Sequence, residues 1–211
     1  SGISILIYTQ DEHLRDIVQR NTSQGLDDAS KYFFEPLGNG MVTIPLAIGF
    51  YAYGTIAKDQ RAVRAGLGGI KAMAITAVFT YAIKYSTQRH RPYENSPPDP
   101  RMWEGPFGSY ASTSFPSGHS TIAWAAATVF ASEYKDKIWV PVISYTLATL
   151  ASASRVYDDK HWSSDVVFGA ALGFFIGKFV YKSTMQCPGL MIIPGVSASG
   201  HPGFTLSYRL Q

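Results

Sequence analysis

Five apolar segments of helical length dominate this sequence and restrict the folds open to it. Each covers roughly 15–18 residues, equivalent to about 22–27 Å of α-helix, and several are rich in alanine and glycine. A shorter segment, 12–20, places Leu14, Ile17 and Val18 on one face of an amphipathic helix. The pattern predicts an all-α fold built from packed helices. The five apolar segments are 41–57, 66–83, 120–134, 138–154 and 166–181.

The same segments leave two locations open, the core of a water-soluble bundle and the interior of a membrane. A bilayer core of about 30 Å requires about 20 apolar residues, and these segments are shorter and are interrupted by Lys71 and Lys178. The mean hydropathy of +0.00 is also low for a protein with several membrane spans. These points favour a buried helical core, but small residues allow close helix packing in either setting.

Charge and cysteine content exclude several functional classes. The formal net charge is +3 and no dense basic arm is present, so we expect no nucleic-acid partner. Cys187 is the only cysteine, which excludes an internal disulfide and a metal site built from cysteines. The chain of 211 residues is long enough for one well-packed domain, which we expect to cover 1–211.

The last part of the chain follows a different pattern. Phe204, Leu206, Tyr208 and Leu210 alternate with polar residues, and a period of two is typical of a β-strand. We therefore expect 183–211 to be an extended C-terminal tail with a short strand over 203–211.

The residues before segment 120–134 form a candidate anion site. Pro116, Ser117, Gly118 and His119 lead directly into this segment. The free N–H groups and the positive dipole end of a helix N-terminus suit a phosphate-like anion, and a histidine there can transfer a proton. Proline and serine also begin many helices for structural reasons alone, so this motif does not decide the function by itself.

Two further polar motifs stand at the ends of apolar segments. In K-x6-R-P, Lys84 and Arg91 flank six residues near a helix end, where basic residues also complement the helix dipole. In S-R-x5-H-x3-D, Arg155 ends a segment and His161 precedes Asp165 by four residues. At that spacing the last two side chains can share one face of a helical turn. Asp165 can then accept the proton of one ring nitrogen of His161 and leave the other as a nucleophile or ligand; a capping or surface pair is the alternative.

Taken in this order, the three motifs resemble the signature of the type 2 phosphatidic acid phosphatase (PAP2) superfamily, which includes bacterial class A acid phosphatases and vanadium haloperoxidases. The resemblance covers roughly residues 35–182. It implies a single PAP2-like phosphatase domain, a compact bundle of about six to eight helices whose ends converge on the active site. The signature positions are Lys84, Arg91, Pro92, Pro116, Ser117, Gly118, His119, Ser154, Arg155, His161 and Asp165.

The resemblance also implies a role for each residue. His161 attacks phosphorus to form a phosphohistidine, Asp165 orients His161, and His119 protonates the leaving oxygen and later activates water. Because transferred phosphoryl groups are stabilised mainly by positive charge, three cations around one anion predict that no metal and no cofactor is needed. Vanadate or phosphate would fit the same position. The residues expected to bind the substrate phosphate are Lys84, Arg91, Ser117, Gly118 and Arg155.

The implied function is metal-independent hydrolysis of phosphate monoesters, with lipid or isoprenoid phosphates as the expected substrates. One alternative is a broad-specificity acid phosphatase for small soluble phosphate esters. A vanadium-dependent haloperoxidase is a weaker alternative because such enzymes are generally much longer. A non-catalytic binding protein is disfavoured because binding alone requires only the cations. The implied location is the cell envelope, periplasmic or membrane-associated, although no signal segment is visible; the sequence predicts no oligomeric state.

The chain departs from the family pattern between Arg155 and His161. Many relatives have a small residue near the position of Asp159, whereas this chain has Asp158 and Asp159 in succession. Two carboxylates beside the nucleophile would repel an anionic substrate unless Lys160 or Arg89 neutralised them. We favour the alternative that both face solvent in a turn, a setting that aspartate prefers.

The positions of the remaining histidines and of several aromatic residues in the sequence predict where they lie in the fold. His90 lies in the variable spacer of K-x6-R-P and is not expected to be catalytic. His13 and His201 lie outside every motif and are expected on the surface. The long segment from 91 to 115 is expected to have a functional reason. Aromatic residues in or near it either line an entrance that suits an acyl chain or a ring, or only pack within a lid over the site. They are Tyr93, Trp103, Phe107, Tyr110 and Trp162.

Overall fold

Nine α-helices and a C-terminal β-hairpin make up the part of the chain that the computed structural model describes, residues 2–108, 113–186, 190–196 and 202–208. Two short 3₁₀ turns, Pro92–Glu94 and Gly105–Phe107, lie between the sixth and seventh helices, and a π-helical turn, Ser30–Phe34, lies between the third and fourth. The helices are α1 Gly2–Tyr8, α2 Asp11–Gln19, α3 Gln24–Ala29, α4 Glu35–Gly38, α5 Thr43–Ala57, α6 Gln60–Thr87, α7 Gly118–Glu133, α8 Trp139–Tyr157 and α9 Ser163–Gln186.

The five long helices, α5 to α9, correspond to the five apolar segments, which confirms the all-α prediction. The main difference is at the start of α6, which begins six residues before the predicted segment. Asp59 is the N-cap there, and its carboxylate accepts hydrogen bonds from the backbone N–H groups of Arg61 and Ala62 at 2.9 and 3.2 Å. A cap of this kind extends a helix through polar residues that an apolar pattern does not count.

Helix α7 forms the centre of the bundle. It packs against α6, α8 and α9, and its alanines are buried on several sides, with Ala125 and Ala126 exposing almost no surface. Small side chains on every face allow three helices to approach α7 closely. The alanines that follow the Pro-Ser-Gly-His motif therefore pack the core, and they fix the start of α7 within the bundle.

A row of three glycines on α9, Gly169, Gly173 and Gly177, forms the contact with α7 and is called the glycine seam below. A Cβ atom at any of the three would lie closer than 3.0 Å to a carbonyl oxygen at the start of α7 or within it. Glycine is required here because the two backbones are in contact. At the start of this contact the backbone N–H of Ser117 donates to the carbonyl oxygen of Asp165 at 3.1 Å, so the seam holds two predicted site residues together.

The short N-terminal helices cover the ends of the long ones. The amphipathic helix expected over 12–20 forms as α2, which contacts α8 and α9, while α4 contacts α7 and α8. The N-terminal part of the chain therefore lies over the end of the bundle to which the sequence motifs belong.

Much of the outer surface of the long helices is apolar. Ile56 of α5, Val78 of α6 and Phe175 of α9 expose 84%, 71% and 67% of their surface. Helices α6 and α9 are long and apolar enough to cross a membrane, and α5 together with the preceding segment Gln24–Gly38, bent by 49°, meets the same criteria. The preference for a water-soluble core does not account for this surface, because soluble bundles place polar residues outside.

The C-terminal tail contains an antiparallel hairpin of β1, Leu190–Val196, and β2, Pro202–Tyr208, in which Leu190 pairs with Tyr208 and Val196 with Pro202. Strand β2 agrees with the strand predicted over 203–211 except at its last three positions, which lie outside the described residues. The tail begins later than predicted because α9 continues to Gln186.

Candidate active site

A cavity of about 410 Å³ lies at the end of the bundle where the three motifs meet. The structure brings the predicted site residues together here, although they come from different helix ends. Ser117 and Asp165 are not part of the cavity lining, and their backbones are joined by a hydrogen bond. The predicted residues that line the cavity itself are Lys84, Arg91, Gly118, His119, Arg155 and His161.

The N-terminus of α7 presents two polar atoms that have no partner within the described part of the chain. The hydroxyl of Ser117, which is the N-cap residue, and Nε2 of His119 are both buried and make no hydrogen bond there. Leaving such a group unpaired costs about 1–3 kcal/mol, so a polar ligand that reached these atoms would gain hydrogen bonds that the described part of the chain does not supply. Burial, together with the charge of Arg155, lowers the pKa of His119 to about 3.

Gly118 leaves space that the protein itself does not fill. A Cβ atom built on Gly118 would come no closer than 3.8 Å to Cγ2 of Thr80 and 4.0 Å to Cε of Lys84. The fold therefore does not require a glycine here for packing. The space that a side chain would occupy is part of the cavity, which supports the expectation that an anion approaches the backbone N–H of Gly118.

Lys84 and Arg91 reach the cavity from either side of the end of α6. Lys84 lies in the last turn, where its ammonium donates to the carbonyl oxygens of Thr113 and, at 3.4 Å, Ser114. The chain then turns at Gln88, which has a left-handed φ of 45°, and returns so that Arg91 also lines the cavity. The six-residue spacing of the motif is the length of this turn.

Arg155 approaches the cavity from the last turn of α8 and is almost fully buried. Its Nε donates to Oγ of Ser154 at 3.2 Å, and its Nη2 donates to the carboxylate of Asp158 and lies 3.6 Å from Oε2 of Glu35. The guanidinium is thus held in place before any anion binds.

Asp158 and Asp159 are bound by arginines, and the expectation that they face solvent is wrong. Asp159 accepts two hydrogen bonds from Arg15 of α2, at 2.6 and 2.7 Å, while Asp158 accepts from Arg155 and from Oγ of Ser30 at 2.7 Å. The expected turn is present, since Asp159 has a left-handed φ of 57°. Neither Lys160 nor Arg89 supplies these bonds, because α2 brings a different arginine to the turn.

His161 and Asp165 are linked through a serine that the sequence analysis did not identify. His161 precedes α9, and its Nδ1 lies 3.8 Å from Oδ2 of Asp165, which is longer than a hydrogen bond. Oγ of Ser114 lies between them, 3.4 Å from Nδ1 and 2.5 Å from Oδ2. The direct hydrogen bond that the spacing suggests is therefore replaced by a bridged one, in which the serine hydroxyl donates to the carboxylate and can accept from Nδ1–H.

The ring of His161 is electrically neutral near pH 7. Burial lowers its pKa to about 4, against the opposing effect of Asp165. With the proton on Nδ1, directed to Ser114, Nε2 carries a free lone pair. A neutral imidazole whose unprotonated nitrogen is free can act as a nucleophile.

The sequence motifs did not predict two residues in or near the cavity, Thr80 and Ser114. Thr80 lines the cavity one helical turn before Lys84, and its hydroxyl is buried without a hydrogen-bond partner among the described residues. The spacing of four along α6 is a signal that could have found it. Ser114 has no comparable signal, because only the tertiary fold places its loop beside His161.

The other histidines agree with expectation where the structure describes them. Nε2 of His90 is 3.0 Å from Oε1 of Glu104, away from the cavity lining, and His13 is exposed on α2. His201 and Tyr110 lie outside the described residues.

Only one of the described aromatic residues expected at the entrance is found there. Tyr93 lines the cavity, with the ammonium of Lys160 4.8 Å from the centre of its ring. Trp162 is buried and donates from Nε1 to the carbonyl oxygen of His90 at 2.9 Å. Trp103 and Phe107 do not line the cavity either, so the expected position at the entrance is wrong for Trp103, Phe107 and Trp162, while Tyr110 stays untested.

Two curated proteins are similar in sequence. A lipid A 1-phosphatase of Porphyromonas gingivalis is 29% identical over 84% of this chain and 36% of its own length. A PA-phosphatase related-family protein of Dictyostelium discoideum is 30% identical over 64% of this chain and 53% of its own length. The chain therefore spans between about a third and about a half of these relatives.

Two solved structures share the fold. LpxE of Aquifex aeolicus superposes with a TM-score of 0.62 at 24% identity, over 81% of this chain and 93% of that one. A transmembrane PAP2-type phosphatidylglycerolphosphate phosphatase of Bacillus subtilis superposes with a TM-score of 0.65 at 21% identity, over 87% and 93%. At these sequence identities the superpositions show that the helical bundle has the same architecture.

The family comparison covers the part of the chain that contains all three motifs. The model of the PAP2 superfamily matches residues 67–187, from the first third of α6 to just beyond the end of α9, which is more than half of the chain. The chain belongs to the PAP2 superfamily.

Proposed function

We propose that this protein hydrolyses lipid phosphate monoesters at a membrane surface, without a metal ion and through a phosphohistidine intermediate. The observation that carries the proposal is the convergence, around one cavity, of three cations, two unpartnered polar atoms of α7 and a buried neutral histidine. The arrangement suits a tetrahedral oxyanion held within reach of a nucleophile.

The cations and the start of α7 would hold the phosphate. Lys84 supplies a compact charge, whereas Arg91 and Arg155 offer planar pairs of N–H groups that can each hold two oxygens. The hydroxyl of Ser117 and the backbone N–H of Gly118 supply further donors. Because charge develops on the equatorial oxygens during transfer, these donors lower the barrier without a metal ion.

The two histidines would divide the chemistry. The lone pair of Nε2 of His161 forms a bond to phosphorus as the bond to the leaving oxygen breaks, and His119 gives its proton to that oxygen. His119 then takes a proton from water, whose oxygen attacks phosphorus and breaks the P–N bond to release inorganic phosphate. A bound phosphate dianion offsets the neighbouring cations, so it raises the pKa of His119 and allows the ring to be protonated in the complex.

The surface around the cavity supports a lipid as the substrate. Tyr81 of α6 both lines the cavity and exposes 60% of its surface on the apolar exterior of the bundle. The phosphate site thus opens beside the surface that would face acyl chains. The similarity to a lipid A 1-phosphatase agrees with a phosphorylated lipid. The same surface supports association with a membrane, and we propose that this membrane belongs to the cell envelope.

A comparison of a lipid and a soluble substrate tests the proposal. In EDTA, the purified protein should hydrolyse phosphatidic acid in mixed micelles with a kcat/KM at least about tenfold above that for glycerol 3-phosphate, a difference of about 1.4 kcal/mol. Vanadate should inhibit both reactions because it occupies the phosphate position. Equal values for the two substrates would favour the broad-specificity alternative, and activity that EDTA stops and magnesium restores would overturn the metal-independent mechanism.

Replacement of His119 by alanine should make the rate depend strongly on the leaving group. An alkyl phosphate needs protonation of its leaving oxygen, so its kcat should fall by about 10²–10⁴. Hydrolysis of p-nitrophenyl phosphate, whose leaving group is a stable anion, should fall by less than about tenfold at the transfer step. Single-turnover kinetics of both substrates measure this, with His90→Ala as a control outside the cavity. Equal losses for the two substrates would exclude His119 as the general acid.

A further inference from the structure

Arg89, in the variable spacer of the first motif, lies behind the site and not in it. Its guanidinium is fully buried and makes five hydrogen bonds, one for each N–H group. Two go to the carbonyl oxygen of Pro100, at 3.1 and 2.9 Å, and one goes to Oγ of Ser164 at 2.8 Å. The other two go to the carboxylates of Asp165 and, at 2.7 Å, Asp11. Arg89 therefore joins the carboxylate behind His161 to a carboxylate of the N-terminal helix α2.

Three aromatic rings enclose this guanidinium. Its central carbon lies 5.0 Å from the ring centre of Tyr8, 4.9 Å from that of Trp103 and 5.5 Å from that of Trp162. Arginine stacks favourably on such faces, and the rings separate the charges from water. Because Tyr8 belongs to α1 and Asp11 to α2, the N-terminal helices complete the enclosure.

Asp11 binds the first turn of α9, the turn that contains Asp165. Oδ1 of Asp11 accepts from the backbone N–H of Ser164 at 2.8 Å, and Oδ2 accepts from Oγ of Ser164 at 2.5 Å as well as from Arg89. A carboxylate at this place satisfies a free N–H group of a helix N-terminus, as a capping residue does. Asp11 therefore fixes both the backbone that holds Asp165 and the arginine that contacts it.

The charges behind His161 do not cancel. Burial raises the pKa of Asp11, while the hydrogen bonds from Ser164 and Arg89 favour its ionised form. With both carboxylates ionised, Asp11 and Asp165 set two negative charges against the one positive charge of Arg89, and all three groups are buried. The remaining negative charge favours the cationic imidazole that forms as His161 bonds to phosphorus. If Asp11 were neutral, Arg89 would neutralise Asp165 and this stabilisation would be lost.

We propose that Asp11 and Arg89 are positioning residues for the reaction, which hold Asp165 in place and maintain the negative charge behind the nucleophile. The inference rests on the proposed function, and it assigns a catalytic contribution to a helix outside the residues that the family model matches. An alternative is that the Asp11–Arg89 pair contributes only to folding, because loss of one partner of a buried ion pair strongly destabilises a protein.

The charge-neutral variant Asp11→Asn separates these alternatives. It has nearly the same shape and can still accept a hydrogen bond from Ser164, but it lacks the negative charge. We expect kcat for phosphatidic acid to fall about 10–100-fold, which is the usual effect of removing an outer residue that orients a functional side chain through hydrogen bonds. KM should change by less than about threefold, because the cations that hold the phosphate are untouched. Rapid-quench measurement with a ³²P-labelled substrate should show slower formation of the phosphoenzyme.

A control variant shows whether the loss is specific to the charge of Asp11. Asp16→Asn removes the same charge from α2 at an exposed position. It should retain kcat within about threefold, because surface substitutions away from a buried network have small effects. Should Asp11→Asn not fold, Asp11→Ser, which can still cap the Ser164 N–H group, takes its place.

The outcomes distinguish this inference from the proposed function. A folded Asp11 variant with unchanged kcat, or a loss of the same size in Asp16→Asn, would overturn the positioning role while the phosphatase activity stands. A wild-type protein without phosphatase activity would overturn the proposed function instead.

Discussion

Replacement of His161 by alanine should abolish hydrolysis of lipid and aryl phosphates alike, with a loss of kcat on the order of 10⁴–10⁶. The nucleophile has no substitute, because the ring nitrogen of His161 is the atom that we expect to bond to phosphorus. Wild-type protein treated with ³²P-labelled substrate and quenched in alkaline detergent should carry label, and the variant should carry none. The quench must be alkaline because the P–N bond of phosphohistidine is stable in base and is hydrolysed in acid. A leaving group that needs no proton should not rescue the rate, in contrast to His119→Ala.

The cations should still bind the anion in this variant. Because Lys84, Arg91 and Arg155 are unchanged, vanadate should continue to protect His161→Ala against thermal unfolding. His13→Ala, exposed on α2, serves as the control for the substitution. Residual label on the His161 variant, or a rate within tenfold of the wild type, would show that another residue attacks phosphorus.

Replacement of Gly173 by alanine should have the largest effect on stability. A Cβ atom at Gly173 would lie far inside contact distance of the carbonyl oxygen of Thr121, and two helix backbones cannot yield as a flexible side chain can. The helices must separate, at a cost of about 3 kcal/mol at the upper end of such substitutions. That corresponds to a Tm lower by roughly 6–12 °C for a protein of this size.

Gly49 provides a matched control for the glycine seam. It lies on α5, in the exposed part of the helix, and a Cβ atom there would meet nothing within 4 Å. Gly49→Ala should therefore leave the Tm unchanged or raise it, since alanine favours a helix by up to about 1 kcal/mol. Thermal unfolding of both variants in the same detergent compares them. Equal Tm values would contradict close contact between α7 and α9.

The parts of the fold and site that could be predicted are those encoded locally. Apolar segments gave the five long helices, because burial of an apolar face depends on residues within one helix. The motifs gave the positions of Lys84, His119 and His161, since each motif marks one helix end. The family resemblance then indicated that these ends meet.

The parts that could not be predicted depend on contacts between distant segments. Arg15 binds Asp159 across 144 positions, and Asp11 binds Ser164 across 153. Neither the sequence of α2 nor that of the loop with Ser114 contains a pattern that predicts which residues it contacts. A separation of four residues also suggested a direct bond between His161 and Asp165, whereas His161 precedes the helix and the spacing rule for helical pairs does not apply.

The outer surface was misjudged for a related reason. Segment length and mean hydropathy describe how apolar a helix is, but they do not show which side chains the neighbouring helices leave uncovered. In the folded chain, residues such as Val78 and Phe175 face outward, because the alanines and glycines occupy the contacts between helices.

The bond between Arg155 and Asp158 bears on how the proposed reaction would end. Three cations around a small cavity would retain inorganic phosphate strongly, and product departure would then limit turnover. Asp158 already accepts a hydrogen bond from one nitrogen of Arg155. Phosphate therefore gains less binding energy from that guanidinium, and the carboxylate of Asp158 can bind Arg155 again as the ion leaves. In the proposed reaction, Asp158 would thus weaken the binding of the phosphate product and favour its exchange for the next substrate.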